Sequence, residues 1–130
     1  IGTIIIGKND GWKENIKMRS NAKQNFQYIP FNKLIDKIIY KAKLVGIEVN
    51  INEESYTSKV DHLALESLQK QEIYKGKRKF RGLFQSIIKK LINADVNGAI
   101  GIARKVFGDS IIKLIADSGL AFNPVRVSLF

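Results

Sequence analysis

Asp95 is the residue of this chain best placed to do chemistry. It lies in Leu91-Ile92-Asn93-Ala94-Asp95-Val96-Asn97-Gly98-Ala99-Ile100, where an apolar strand pattern turns into a helical one and a single acid sits among amides. A carboxylate in the first turn of a helix, beside strand ends, can hold a hard divalent cation. It can equally cap the helix by accepting from free backbone N–H groups. Val96, Ile100, Ala103 and Phe107 form the stripe expected to be buried, which turns Asp95 outward. Glu53 and Glu54 are a second acidic pair, at the exit of an alternating strand pattern, where a solvated strand end is the plain alternative to a metal ligand.

A second cluster is cationic. Lys75, Lys77, Arg78, Lys79 and Arg81 crowd between Tyr74 and Phe84, with Phe80 among them. Cations interleaved with rings suit a phosphate backbone whose bases stack nearby, and a solvated loop is the competing reading. The whole chain agrees with a polyanionic partner: 22 Lys and Arg against 12 Asp and Glu leave a net charge of +10 over 130 residues.

Several chemistries are excluded by residue type. The chain has no cysteine and one histidine, His62, so thiol nucleophiles, a Ser–His–Asp arrangement and a structural zinc site are unsupported. His62 reads as an ordinary surface or interface residue. Gly98 and Gly101 fall inside a helical pattern and do not form a phosphate loop. No apolar run is long enough for a membrane and no signal peptide opens the chain, which gives a cytoplasmic expectation.

The elements that must position these residues are legible to different degrees. Thr3 to Gly7 reads as an apolar strand closed by the turn signal Asn9-Asp10-Gly11, followed by a loop over 10–29 whose Trp12 and Phe26 are expected to tuck against the body. A helix is predicted from Pro30 to Gly46, with Phe31, Leu34, Ile35, Ile38, Ile39, Ala42 and Val45 on one face. Ile47 to Ile51 alternates as a second strand, and strand, helix, strand implies a parallel pair. Val60 to Glu72 suggests a short helix through Leu63, Leu65 and Leu68, and Gly82–Ser86 with Lys89–Ile92 a small hairpin. Asp109 or Ser110 is expected to cap a last helix ending at Gly119, before a tail whose Val125 to Leu129 alternate as an edge strand.

Four blocks in order, Tyr40-Lys41-Ala42, Tyr56-Thr57-Ser58-Lys59, Arg81-Gly82-Leu83 and Asn93-Ala94-Asp95-Val96-Asn97-Gly98-Ala99, resemble the C-terminal part of TnpB (OrfB) proteins, which are RNA-guided DNA nucleases encoded by mobile elements. The likeness runs from Thr3 to about Phe107. It implies an α/β fold, the C-terminal portion of an RNase H/RuvC-like domain: strand, helix and strand over 1–58, an insert at a zinc-ribbon position over 59–92, and helices with a tail over 93–130. It also implies DNA and guide RNA as partners, and phosphodiester cleavage assisted by Mg2+.

By that resemblance Asp95 matches one of three catalytic acids. The first would precede Ile1, where the chain opens on a strand without methionine, so this sequence is expected to be a fragment, inactive alone, that needs an N-terminal part of the same protein. The second is replaced by Gly7. Glu54 or Glu53 could take over its role at the rim of a parallel sheet, with Asp95 and Glu54 as metal ligands, or the site has decayed to a nucleic-acid-binding module. Lys77, Arg78, Lys79 and Arg81 are the expected phosphate contacts, joined by Thr57, Ser58, Lys59 and Asn97. No zinc is expected, and packing of Leu63, Leu65, Leu68, Leu83, Phe84 and Ile88 should hold the insert instead. Open strand edges add a third reading, an assembly fragment that pairs into a homodimer.

Overall fold

Residues 1–9, 30–119, 121 and 122 are described in the computed structural model. They divide into two units, residues 1–53 and residues 54–130. Both mix helix and strand.

The first unit is built from β1 (Thr3–Gly7), α1 (Phe31–Leu44) and β2 (Glu48–Asn52). β1 and β2 are parallel, in register from Thr3 opposite Glu48 to Gly7 opposite Asn52, as the strand–helix–strand pattern requires. The ladder extends past both ends through Glu48 N–H to the Gly2 carbonyl and Lys8 N–H to the Asn52 carbonyl. α1 starts behind Pro30, whose carbonyl accepts from Leu34 N–H, and stops at Gly46, which takes the left-handed φ of 72° that closes helices. Ala42 is buried and Ile35 and Ile38 are half-buried, but Leu34 and Val45 of the same expected face stay 53% and 70% exposed. Trp12 and Phe26 lie outside the described residues.

In the second unit β3 (Lys77–Phe80), β4 (Leu83–Gln85) and β5 (Leu91–Asn93) form an antiparallel sheet in that order, followed by α2 (Ala94–Phe107) and α3 (Ser110–Ser118). The expected hairpin is the β4–β5 pair, closed by Ser86 N–H to the Lys90 carbonyl. The basic run is a sheet-edge strand, not a loop, and its pairing shifts between Arg78 and Phe80. Phe84, Ile92, Ala94, Ile100 and Ile112 make the core, and Leu63, Ile111 and Ile115 pack on it.

Three expectations are corrected in this unit. Val60 to Glu72 forms turns and no helix, because its polar side chains bond the backbone in place of a helical ladder. α2 buries Ala94, Asn97, Ile100, Gly101 and Arg104, whereas Val96 and Phe107 are 36% and 48% exposed. The helix is turned by this polar contact face. Finally, the apolar set expected to hold the insert does so only in part: Phe84 is in the core and Leu63 packs on it, whereas Leu65 and Ile88 are about half exposed. Residues 123–130, the expected edge strand, lie outside the described residues. No helix among the described residues is long and apolar enough to cross a membrane.

Candidate nucleic-acid interface

Residues 54–76 carry neither helix nor strand and are held by buried polar side chains. The Asp61 carboxylate accepts from Ser86 Oγ at 2.8 Å and Ile87 N–H at 2.7 Å with one oxygen, and from Ala64 N–H at 3.2 Å with the other. Glu66 accepts from Asp61 N–H and Lys75 N–H, each at 2.7 Å. Two buried carboxylates are thus satisfied by donors, as burial of charge requires. From α2, Arg104 Nη1 donates to the Glu66 carbonyl and its Nε to Asp109, both at 2.6 Å, and Asn97 Nδ2 donates to the Val60 carbonyl at 3.0 Å. The guanidinium hydrogen bond holds the exposed Asp109 carboxyl below its ordinary value.

His62 is fully buried, which corrects the surface reading. Its Nε2 lies 2.7 Å from the Thr57 carbonyl. A carbonyl can only accept, so Nε2 carries the proton and Nδ1 is left as an acceptor. Nδ1 and Asn97 Oδ1 have no partner among the described residues. Burial above all, and then Arg104, lowers the His62 pKa, against opposing contributions from the Thr57 bond, Asp61 and Glu66. Room for the ring exists because α2 has glycine there: a Cβ on Gly101 would lie 2.4 Å from His62 Nε2.

This clasp brings the two ends of the segment to one concavity. Ser58 and Lys59 from its start meet Tyr74, Gly76, Lys77 and Arg78 from its end and from β3, around a cavity of about 370 Å³ floored by Phe84. Gly76 allows the close approach, since a Cβ on it would lie 2.3 Å from the Phe84 ring. Three cations therefore share one rim beside an aromatic wall, an arrangement suited to phosphate and base together. Lys79 and Phe80 on the same edge strand, and Arg81 in the turn after it, are exposed but do not line the cavity. Two residues expected at this surface are buried: Thr57 donates to the Glu54 carbonyl at 2.8 Å, and Asn97 holds Val60. Their side-chain donors bond within the fold.

Asp95 is exposed in the first turn of α2. The cap there is Asn93, whose Oδ1 accepts from Asp95 N–H at 2.8 Å and Val96 N–H at 3.2 Å, so the Asp95 carboxylate is not required for capping. Glu53 follows β2 and closes the first unit, and Glu54 opens the second. Among the described residues no three His, Cys, Asp or Glu side chains converge as a metal site. The acids described do not make up a two-cation site by themselves.

Asp61, Glu66, Ser86 and Arg104 were not singled out by residue pattern. The available signal was two acids in a leucine-bearing segment, followed by a helix whose inner face holds Asn97 and Arg104.

Residues 31–102, more than half of the chain, match the family model described as Cas12f1-like, TNB domain. Comparison with curated proteins and with solved structures gives no match.

Proposed function

Since the chain belongs to the Cas12f1-like TNB domain family, and so to the TnpB/Cas12-type nucleases, we propose that it binds nucleic acid through the β3 edge and the basic concavity beside it. The observation that carries this reading is the gathering of Lys59, Lys77 and Arg78 on one rim with Tyr74, on a chain of net charge +10. Lys79 and Arg81 extend the cationic edge. DNA and guide RNA are the partners this family membership favours.

In this proposal residues 1–58 and 93–130 belong to a RuvC-like domain, and 59–92 is the insert between them. Asp95 is the acid this chain would offer to Mg2+, with Glu54 or Glu53 as the second. The cation would activate water and stabilise the leaving oxygen. Support for Asp95 is its freedom from the capping role that Asn93 fills.

Binding is tested by fluorescence anisotropy of the chain with labelled DNA and RNA across a salt series. The expected affinity falls steeply with salt, and each of Lys59→Ala, Lys77→Ala and Arg78→Ala lowers the log–log slope by about 1. A salt-independent affinity, or wild-type slopes in all three variants, defeats the binding reading. For the acid, Asp95→Ala should abolish Mg2+-dependent cleavage while leaving nucleic-acid affinity unchanged; undiminished cleavage removes Asp95 from the site.

A further inference from the structure

We propose that the concavity bounded by Ser58, Lys59, Tyr74, Lys77 and Arg78 holds one unpaired nucleotide, its base against the Tyr74 ring and its phosphate among the three cations. This rests on the nucleic-acid reading above and adds to it a preference for unpaired strands. A flat basic surface would attract phosphates alone, paired or unpaired, because charge does not see the bases. The concavity is different. At about 370 Å³ it lies within the range of pockets that enclose small molecules, roughly 300–1,000 Å³. Two aromatic residues, the half-buried Tyr74 and the buried Phe84, line it together with the exposed cations Lys59, Lys77 and Arg78.

Base rings become available to an aromatic wall only when the base leaves its stack. A duplex keeps them covered and offers this rim only its phosphates. Tyr74 is also tethered: its hydroxyl accepts from Gln71 N–H at 3.4 Å, and Glu66 accepts from Lys75 N–H immediately after it. The wall is thereby part of the clasp that orders the segment, and stacking on it costs less ordering than on a free side chain.

The test compares the whole chain binding a short labelled DNA strand, the same strand with abasic sites at its centre, and its duplex, with an RNA strand of the same sequence alongside. Expected is at least about fivefold tighter binding of the intact strand, DNA or RNA, than of the abasic strand or the duplex. Tyr74→Leu should remove that preference, while Tyr74→Phe, which keeps the ring and loses only the bond from Gln71 N–H, keeps most of it. A fluorescent base analogue in the strand should be quenched on binding wild type, a readout independent of whether Tyr74→Leu folds. Equal, salt-dependent affinity for all the probes with no quenching overturns the pocket and leaves the general binding reading standing. Absence of salt-dependent binding to any probe overturns both.

Discussion

In the described part of residues 1–53 order comes from a parallel backbone ladder between β1 and β2 and from an amphipathic helix, whereas in residues 54–76 it comes from side chains bonded to distant backbone. The first arrangement is spread over many weak contributions, and its outer residues such as Leu34 and Val45 remain largely exposed. The second is concentrated in a few groups, each holding several partners. A concentrated arrangement positions a surface loop accurately without regular structure, but it fails when one member is lost.

The sharpest way to break this contrast is Asp61→Ala. It strands Ser86 Oγ and the amides of Ile87 and Ala64, and the expected cost is about 3 kcal/mol or more in urea unfolding of the chain. Hydrogen exchange at the Ile87 amide should accelerate with it. A loss under about 1 kcal/mol with unchanged exchange would show that the clasp is not what orders the segment. Gly101→Ala should cost somewhat less, about 2 kcal/mol, because its Cβ drives into the imidazole that Thr57 pins. Calorimetry or urea titration reads this directly.

The same contrast explains what could be read in the residues. Thr3 to Gly7, the helix behind Pro30 and its stop at Gly46 follow from apolar spacing and from glycine's left-handed freedom, which are local rules. The β4–β5 hairpin was legible for similar reasons. Asp61 bonds Ser86, 25 residues on, and Arg104 reaches Glu66 across 38, and no periodicity encodes such pairings. The leucines at 63, 65 and 68 therefore suggested a helix that the acids override. At the candidate site, Ser58, Lys59, Lys77 and Arg78 could be read as a polar and basic set, but residue type could not separate them from Thr57 and Asn97, which the fold buries. Asn93 and Asp95 are both competent caps, and only geometry assigns the role to Asn93.

Ile38→Ala sharpens the comparison from the other side. Ile38 is half-buried on α1, so its truncation should cost only about 1 kcal/mol, well below Asp61→Ala. Equal costs for the two substitutions would erase the distinction between spread and concentrated order. A gentler probe is pH. His62 titrates below its ordinary value of 6.5 in the folded chain, so the unfolded chain binds more protons once pH falls under 6.5. Stability contributed by neutral His62 is therefore present above 6.5 and is lost as pH falls through the folded pKa. Arg104, Asp61 and Glu66 are the charges facing it. His62→Gln, which keeps an N–H donor but does not titrate, should flatten the dependence measured by thermal unfolding; an unchanged slope would assign it to another group.

The smallest expected effect has the opposite sign. Gly98 and Gly101 lie on the same helix, three positions apart, yet only Gly101 faces the clasp; a Cβ on Gly98 meets nothing within 4 Å. At Gly98 the helix carries glycine's backbone entropy cost with no packing to justify it locally. Gly98→Ala should thus stabilise the chain by about 0.5–1 kcal/mol, where the same replacement at Gly101 destabilises it. Urea unfolding of the two variants side by side separates helix propensity from contact with His62, because propensity alone predicts a gain at both positions. If Gly98→Ala also destabilises, the glycine there is needed by something that approaches this side of α2, next to Asp95.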